Sequence, residues 1–330
     1  MKYFLALLFT LSLTVSFATN SEKPVKITVA QDGSGDYKTI KEAINSVKSK
    51  SEIETIITIK NGRYFEKLEI PTSKRNITLK GEDNKKTIIS FDDYSGKPLR
   101  PEDVKDDKTT YGTSTSYTLL IKGDNCTLEN LTIENSAGRV GQAVALHTKG
   151  DKLVIKNCRL IGNQDTVYLD KAGTRVYVEK CYINGTTDFI FGPATAYFKD
   201  CIIESLIDSY ITAASTEENE KYGFVFVDCE LTTQERAVRK VYLGRPWRPF
   251  AQTVFINTKM GGHIIPAGWN PWKDERFPDK EKTAYYAEYN SSGDGAKDLS
   301  KRVDWSHQLH KSDLKKYELE KVLDGWDPKK

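Results

Sequence analysis

The 330-residue sequence is poor in the side chains on which the commoner hydrolytic chemistries depend. It has four histidines, His147, His263, His307 and His310, and none has an obvious partner nearby in the chain. His307 and His310 read as surface residues of the C-terminal segment. A serine elbow needs Gly-x-Ser-x-Gly, and Gly33-Ser34-Gly35 lacks that spacing. No Gly-Lys-Ser/Thr follows Asp32-Gly33-Ser34-Gly35-Asp36, so this turn reads as a loop before a helix rather than a phosphate cradle. The five cysteines fit no zinc spacing, and no tight Asp/Glu/His cluster suggests another metal. A formal charge of only +3, with no basic stripe, argues against nucleic acid and merely permits a polyanionic substrate. No low-complexity tract or Pro/Ser/Gly-rich linker divides the chain, which favours one domain.

The one long apolar run, Phe4 to Ala18, follows Met1-Lys2-Tyr3 and ends in the small residues Ser16 and Ala18. It predicts a signal peptide over 1–18, too short to span a membrane, which takes about 20 apolar residues. With no cysteine at the cleavage point, no membrane anchor is expected. The expected product is an exported monomer, periplasmic or secreted, with one domain over 19–330. Loss of Lys2 with the leader lowers the formal charge from +3 to +2.

What the chain has in abundance is short β-type phrases. Ile40, Ala43, Ile44 and Val47 mark one short amphipathic helix after the first strand. Beyond it, runs such as Ile56-Ile57-Thr58-Ile59 and Leu131-Thr132-Ile133 alternate with Gly, Asn and Asp. Leu131, Cys158, Cys181, Cys201, Cys229 and Thr258 occupy one position of a repeated phrase, at irregular steps of 20 to 29 residues. Irregular periods in the twenties on β-branched strands predict an all-β solenoid, a right-handed parallel β-helix with rungs ~4.8 Å apart. The rhythm fades past Met260, so Gly268 to Trp272 and Ala284 to Tyr289 read as aromatic segments packed outside the solenoid. Leu314, Tyr317, Leu319, Val322 and Leu323 predict a short C-terminal helical segment that covers part of it.

The register stacks four cysteines as an inward column, where Cys behaves as a small hydrophobe. Bridges 158–181, 181–201 and 201–229 are all within disulfide reach, and Cys126, outside the column, reads as a buried free thiol. Asp165 lies seven residues after Cys158 and Asp188 seven after Cys181, so the two aspartates are expected one rung apart. Stacked carboxylates cannot both ionise cheaply; one pKa rises while the other stays low, as a nucleophile and a general acid require. The plainer reading, that both cap turns, suits an average Asp. Here each is followed by an apolar or aromatic run, Val167-Tyr168-Leu169 and Phe189-Ile190-Phe191. Asp208, seven after Cys201, lacks that setting and reads as an ordinary turn residue. Gln142 is a lone amide in a small, apolar strand, and Arg245 stands beside Trp247 as a carboxylate clamp beside a sugar-stacking face.

Gln142-Ala-Val-Ala-Leu146, Gln164-Asp-Thr166, Asp188-Phe-Ile-Phe-Gly192 and Leu243-Gly-Arg-Pro-Trp247 occur in that order. So arranged, they resemble the pectin methylesterase family of carbohydrate esterases. Asp32 to Gly35, Gly62 to Glu66, Gly268-Trp269 and Arg302 to Trp305 match as well, so the resemblance covers nearly all of the chain after the leader. It implies a right-handed parallel β-helix that hydrolyses the C6 methyl esters of galacturonate in pectin (methyl-esterified homogalacturonan), with no cofactor. It implies Asp188 as nucleophile, Asp165 as general acid then base, Gln142 and Gln164 as oxyanion donors, and Arg245 as the group orienting Asp188. Trp247, Tyr168 and Phe191 would line the sugar cleft, and His147 falls where similar bacterial enzymes carry a sugar-contacting tyrosine. The same resemblance selects Cys181–Cys201 as a disulfide. The rival from another class is a non-catalytic carbohydrate-binding β-helix, which would leave the two glutamine motifs and Arg245 without a role. A pectate lyase should show an acidic calcium site and a polygalacturonase further paired aspartates; neither pattern is evident.

Overall fold

A computed structural model describes residues 23–104 and 107–329. The expected leader, 1–18, lies outside them. Nearly all strands are three to five residues long and pair in parallel into three sheets of eleven, eight and seven strands. From Thr55 to Tyr289 successive strands in the chain fall in different sheets, and each pairs with its counterpart one coil on. That connectivity is a parallel β-helix, right-handed as crossovers between parallel strands are. Among the described residues no helix is long and apolar enough to cross a membrane.

Each coil is short because single residues bend it. Asn130, Asn157, Lys180, Asp200, Asp228, Asn257 and Asn290 occupy one corner of successive coils, all with φ between 51° and 57°. Asn and Asp tolerate this left-handed conformation better than most residues, which accounts for the Asn/Asp punctuation between strands. Several of the corner amides bond to one another, as Asn157 does to Asn130 at 2.9 Å and Asn290 to Asn257 at 2.9 Å.

The residue after each corner faces inward. The pairs Arg159–Thr132, Arg159–Tyr182, Tyr182–Ile202, Ile202–Glu230 and Glu230–Lys259 put Leu131, Cys158, Cys181, Cys201, Cys229 and Thr258 in one column, as the sequence register requires. All five cysteines are buried and free, so the Cys181–Cys201 bridge is not formed. The physical reason lies in the column itself. Cys181 has a thiol neighbour on either side, and its Sγ donates to the carbonyls of Glu179 at 3.3 Å and Ile155 at 3.4 Å. Cys126 is likewise buried and free, outside the column.

Two expectations need correction at the C-terminal end. The solenoid does not stop at Met260, because Tyr285–Tyr289 pairs in full register with Gln252–Ile256. Trp269 and Tyr286 are core residues, 1% and 0% exposed, rather than outer packing. The terminal segment is a 3-10 helix, Lys311–Tyr317, followed by one short α-helix, Leu319–Val322. It lays Tyr317, Val322 and Leu323 on the flank of the eleven-stranded sheet, against Tyr177, Tyr197 and Tyr222. At the other end the expected helix forms over Ile40–Ser46, and a capping box between Thr39 and Glu42 starts it.

Candidate active site

The connections from the eight-stranded to the seven-stranded sheet stack along one edge of the solenoid, and three consecutive ones carry the predicted residues. Gln142 lies between the strands Thr132–Asn135 and Leu146–Thr148, and Gln164 and Asp165 between Arg159–Ile161 and Val167–Leu169. Asp188 lies between Tyr182–Gly185 and Ile190–Gly192. Gln142 and Gln164 form a parallel bridge, so they sit on adjacent rungs. Val167 pairs with Ile190, which places Asp165 opposite Asp188 one rung on, roughly 4.8 Å away.

Local sequence turns these side chains outward. Asp165 and Asp188 both have positive φ, 67° and 50°, which reverses the chain so that the next residue points inward. Phe189 is fully buried and anchors Asp188; its removal would cost about 3–5 kcal/mol. The ring fits because residue 185 is glycine, where a Cβ would stand 2.2 Å from that of Phe189. Gly192, at φ 123°, closes the motif against the Leu169 carbonyl.

Asp188 and Arg245 form the strongest polar contact of the site. Nε donates to Oδ1 at 2.9 Å and Nη2 to Oδ2 at 2.6 Å. The guanidinium is itself held between two aromatic faces, 3.9 Å from the Tyr210 ring centre and 3.7 Å from that of Trp272. Among the described residues Asp165 has no such partner. Burial, and then the charge of Asp188, raise its pKa well above the ordinary carboxylate value. Burial raises Asp188 as well, but Arg245 opposes it and the rise is smaller. The expectation that one pKa stays low is therefore corrected: both rise, and their order is the expected one. Among the described residues neither glutamine side chain is committed to a hydrogen bond, which leaves both amides free to donate.

Beside the pair runs an aromatic ladder on the seven-stranded sheet. His147 stacks on Tyr168 at 4.6 Å, Tyr168 on Phe191 at 4.2 Å, and Trp247 meets Phe191 edge-on at 5.9 Å. A hollow of about 540 Å³ opens beside Tyr168, Asp170, Pro193, Ser215 and Trp247. His147 does not line it. The imidazole is 0% exposed, shut in by Tyr168 and Tyr117, so the expected sugar contact is corrected to a structural role. Its Nε2 lies 2.8 Å from Asp170 Oδ2, which also takes Lys149 Nζ at 2.9 Å. Burial would raise the Asp170 pKa, but hydrogen bonds from His147, Tyr168 and Lys149 outweigh it and lower the value to about 2.

Sequence reasoning missed Tyr210 and Trp272. Trp272 reads in the sequence as part of an outer aromatic segment. The signal for Tyr210 was the register, since Asp188 N donates to its carbonyl at 2.9 Å on the next rung. Asp208 is an ordinary turn residue, as expected, accepting from the backbone of Arg239 and Lys240. Among the described residues no group of three or more His, Cys, Asp or Glu is arranged to hold a metal ion.

Fold and site together define a parallel β-helix protein with a two-aspartate centre on its edge. The Pectinesterase family model matches residues 26–325. The chain belongs to the pectinesterase family. It is 38% identical over 290 residues to a pectinesterase of Petunia integrifolia, covering 84% of this chain and 73% of that one. To pectinesterase 31 of Arabidopsis thaliana it is 35% identical, covering 86% and 87%. It spans about half the length of relatives named as probable pectinesterase/pectinesterase inhibitor, 50% and 48%. Among solved structures, carrot pectin methylesterase superposes with a TM-score of 0.80 at 31% identity, over 95% of each chain. The pectin methylesterase of Erwinia chrysanthemi does so at 0.78 and 31%, over 94% and 99%.

Proposed function

We propose that this protein hydrolyses the C6 methyl esters of galacturonate in pectin, releasing methanol, and that it does so as an exported monomer without a cofactor. The observation that carries the proposal is the pairing of an arginine-clamped carboxylate, Asp188, with an unclamped one a single rung away, Asp165, whose pKa burial and the Asp188 charge raise further. Similarity to a pectin methylesterase solved in complex with a hexasaccharide supports a polymeric sugar substrate.

In the proposed reaction an oxygen of Asp188 attacks the ester carbon, and the carbonyl electrons move to oxygen. The amides of Gln142 and Gln164 donate to that oxyanion, each contributing ~3 kcal/mol if they act as oxyanion-hole donors do. The intermediate collapses with loss of methoxide, which takes the proton of Asp165 and leaves as methanol. Asp188 is then joined to the uronate as a mixed anhydride. Asp165, now ionised, removes a proton from water as the water attacks the uronyl carbon. That step frees the galacturonate carboxyl, restores the Asp188 carboxylate and reprotonates Asp165. Arg245 orients Asp188 and favours its charged form, while Trp247, Tyr168 and Phe191 wall the sugar cleft.

The test is a time course on highly methylated pectin. Methanol should appear with no ultraviolet-absorbing double bond and no fall in chain length. Unsaturated or shortened products without methanol would overturn the reading.

A further inference from the structure

Behind Arg245 lies a buried lysine that the proposed reaction does not use. Lys280 is one of the largest fully buried side chains, 0% exposed, and among the described residues its Nζ makes no hydrogen bond. A fully buried lysine is rare unless it is paired. The one ion pair of Lys280 among the described residues is long, 3.7 Å to Asp274 Oδ2. That carboxylate is held more closely by Arg276, whose Nε and Nη2 donate to it at 3.1 and 2.9 Å. What the ammonium meets instead is an aromatic face. Nζ stands 4.8 Å from the centre of the Trp272 ring, the ring on which Arg245 stacks at 3.7 Å.

We propose that Lys280 is a positioning residue for the esterase reaction, a role that rests on the function proposed above: its ammonium, lodged against Trp272, fixes the indole over Arg245 and so keeps the guanidinium aligned on both oxygens of Asp188. Two observations support it. Trp272 has φ 46°, a left-handed conformation in which a bulky residue is an outlier and persists only where its surroundings over-determine it. The loop that carries it supplies that constraint. Trp272 N donates to Asn270 Oδ1 at 2.9 Å, and at the far end Phe250 N donates to Thr283 Oγ1 at 3.3 Å, which ties the loop to the segment after Arg245. Between these ties the chain turns back, so that residue 280 touches the indole of residue 272. The burial of Lys280 is the second observation. A cation over a Trp face is attracted most strongly where water is excluded. Burial lowers the Lys280 pKa, Asp274 opposes that effect, and Arg248 and Arg245 add to it, so Asp274 is the group that favours the charged form.

Lys280→Met fills nearly the same buried space without the charge, so the fold should hold. Its kcat should fall about tenfold, with KM little changed, as the cation–π contact is lost and Arg245 is held less exactly. A looser guanidinium opposes the effect of burial on Asp188 less well, so the acidic limb of kcat/KM should move to higher pH. A lower Tm with kcat and that limb unmoved would make Lys280 merely structural and overturn the proposal. In a Trp272→Leu background Lys280→Met should lower kcat no further; a second such loss there would show that Lys280 does not act through the ring. One measurement is independent of turnover. The Nε proton of Arg245, between the Tyr210 and Trp272 rings, should change its NMR shift in Lys280→Met, and an unmoved resonance would also overturn the proposal. Should Lys280→Met fail to fold, Asp274→Asn leaves the lysine in place, disfavours its charge and should move the same resonance; no movement there would be equally fatal. Absence of methanol release by the unaltered protein would instead overturn the esterase reading.

Discussion

Arg245 grips both oxygens of Asp188, at 2.9 and 2.6 Å, while among the described residues Asp165 on the neighbouring rung has no cation of its own. Two carboxylates of the same type thus acquire different proton affinities from one guanidinium. Tyr210 and Trp272 hold that guanidinium on both faces, so the asymmetry is built into the packing.

Asp188→Asn should keep the fold and lose activity by on the order of 10³-fold or more, because an amide is not a competent nucleophile here. Methanol release and circular dichroism check this together. A folded variant with full turnover would remove Asp188 from the mechanism.

Arg245→Lys retains the charge but loses the bidentate grip and the aromatic stacking. We expect kcat to fall about 10–100-fold, the usual range for a supporting partner. Arg245 lowers the Asp188 pKa against the effect of burial. Weakening it raises that pKa, and the nucleophile is lost at a higher pH as acidity increases. The acidic limb of kcat/KM should therefore move to higher pH, and a pH-rate profile of both proteins measures the shift.

Asp165→Asn should abolish most turnover and should also change stability with a definite sign. The folded-state pKa of Asp165 is raised, chiefly by burial. Its contribution to stability is complete below the unfolded-state pKa and is lost as pH rises toward the folded-state value. An uncharged Asn has no such loss, so the variant's Tm relative to the parent should increase from about pH 4 upward. Paired thermal melts across that range decide it.

Gln142→Ala and Gln164→Ala should each lower kcat by about 10²-fold, with smaller effects on KM, if the amides serve the transition state rather than substrate binding. Equal losses in binding of unreactive oligosaccharide and in kcat/KM would assign them to substrate positioning instead.

Titration of thiols separates the free column from a bridged one. All five cysteines should resist a thiol reagent in the native state and react after unfolding without reductant. A count lower by two would mean that a bridge has formed.

Much of this was legible in the chain because a solenoid repeats its own geometry. Once Leu131, Cys158, Cys181, Cys201, Cys229 and Thr258 are aligned, parallel pairing requires that every equal offset be a neighbour, and Asp165 and Asp188 share an offset of seven from Cys158 and Cys181. Composition and spacing therefore determined the coil, the inward column and the adjacency of the two aspartates. Where the repeat lengthens, sequence reasoning lost the thread, and Trp269 and Tyr286 were assigned to the outside although they complete the core. Only the tertiary structure decided the environments: that Tyr210 and Trp272 enclose Arg245, that His147 is sealed under Tyr168 and bonded to Asp170, and that Lys280 is buried against Trp272. The reason is physical. Register follows from backbone pairing, which is local and periodic. Burial and charge depend on which distant side chains close over a site, as Trp272 closes over Arg245, and no period in the chain encodes that.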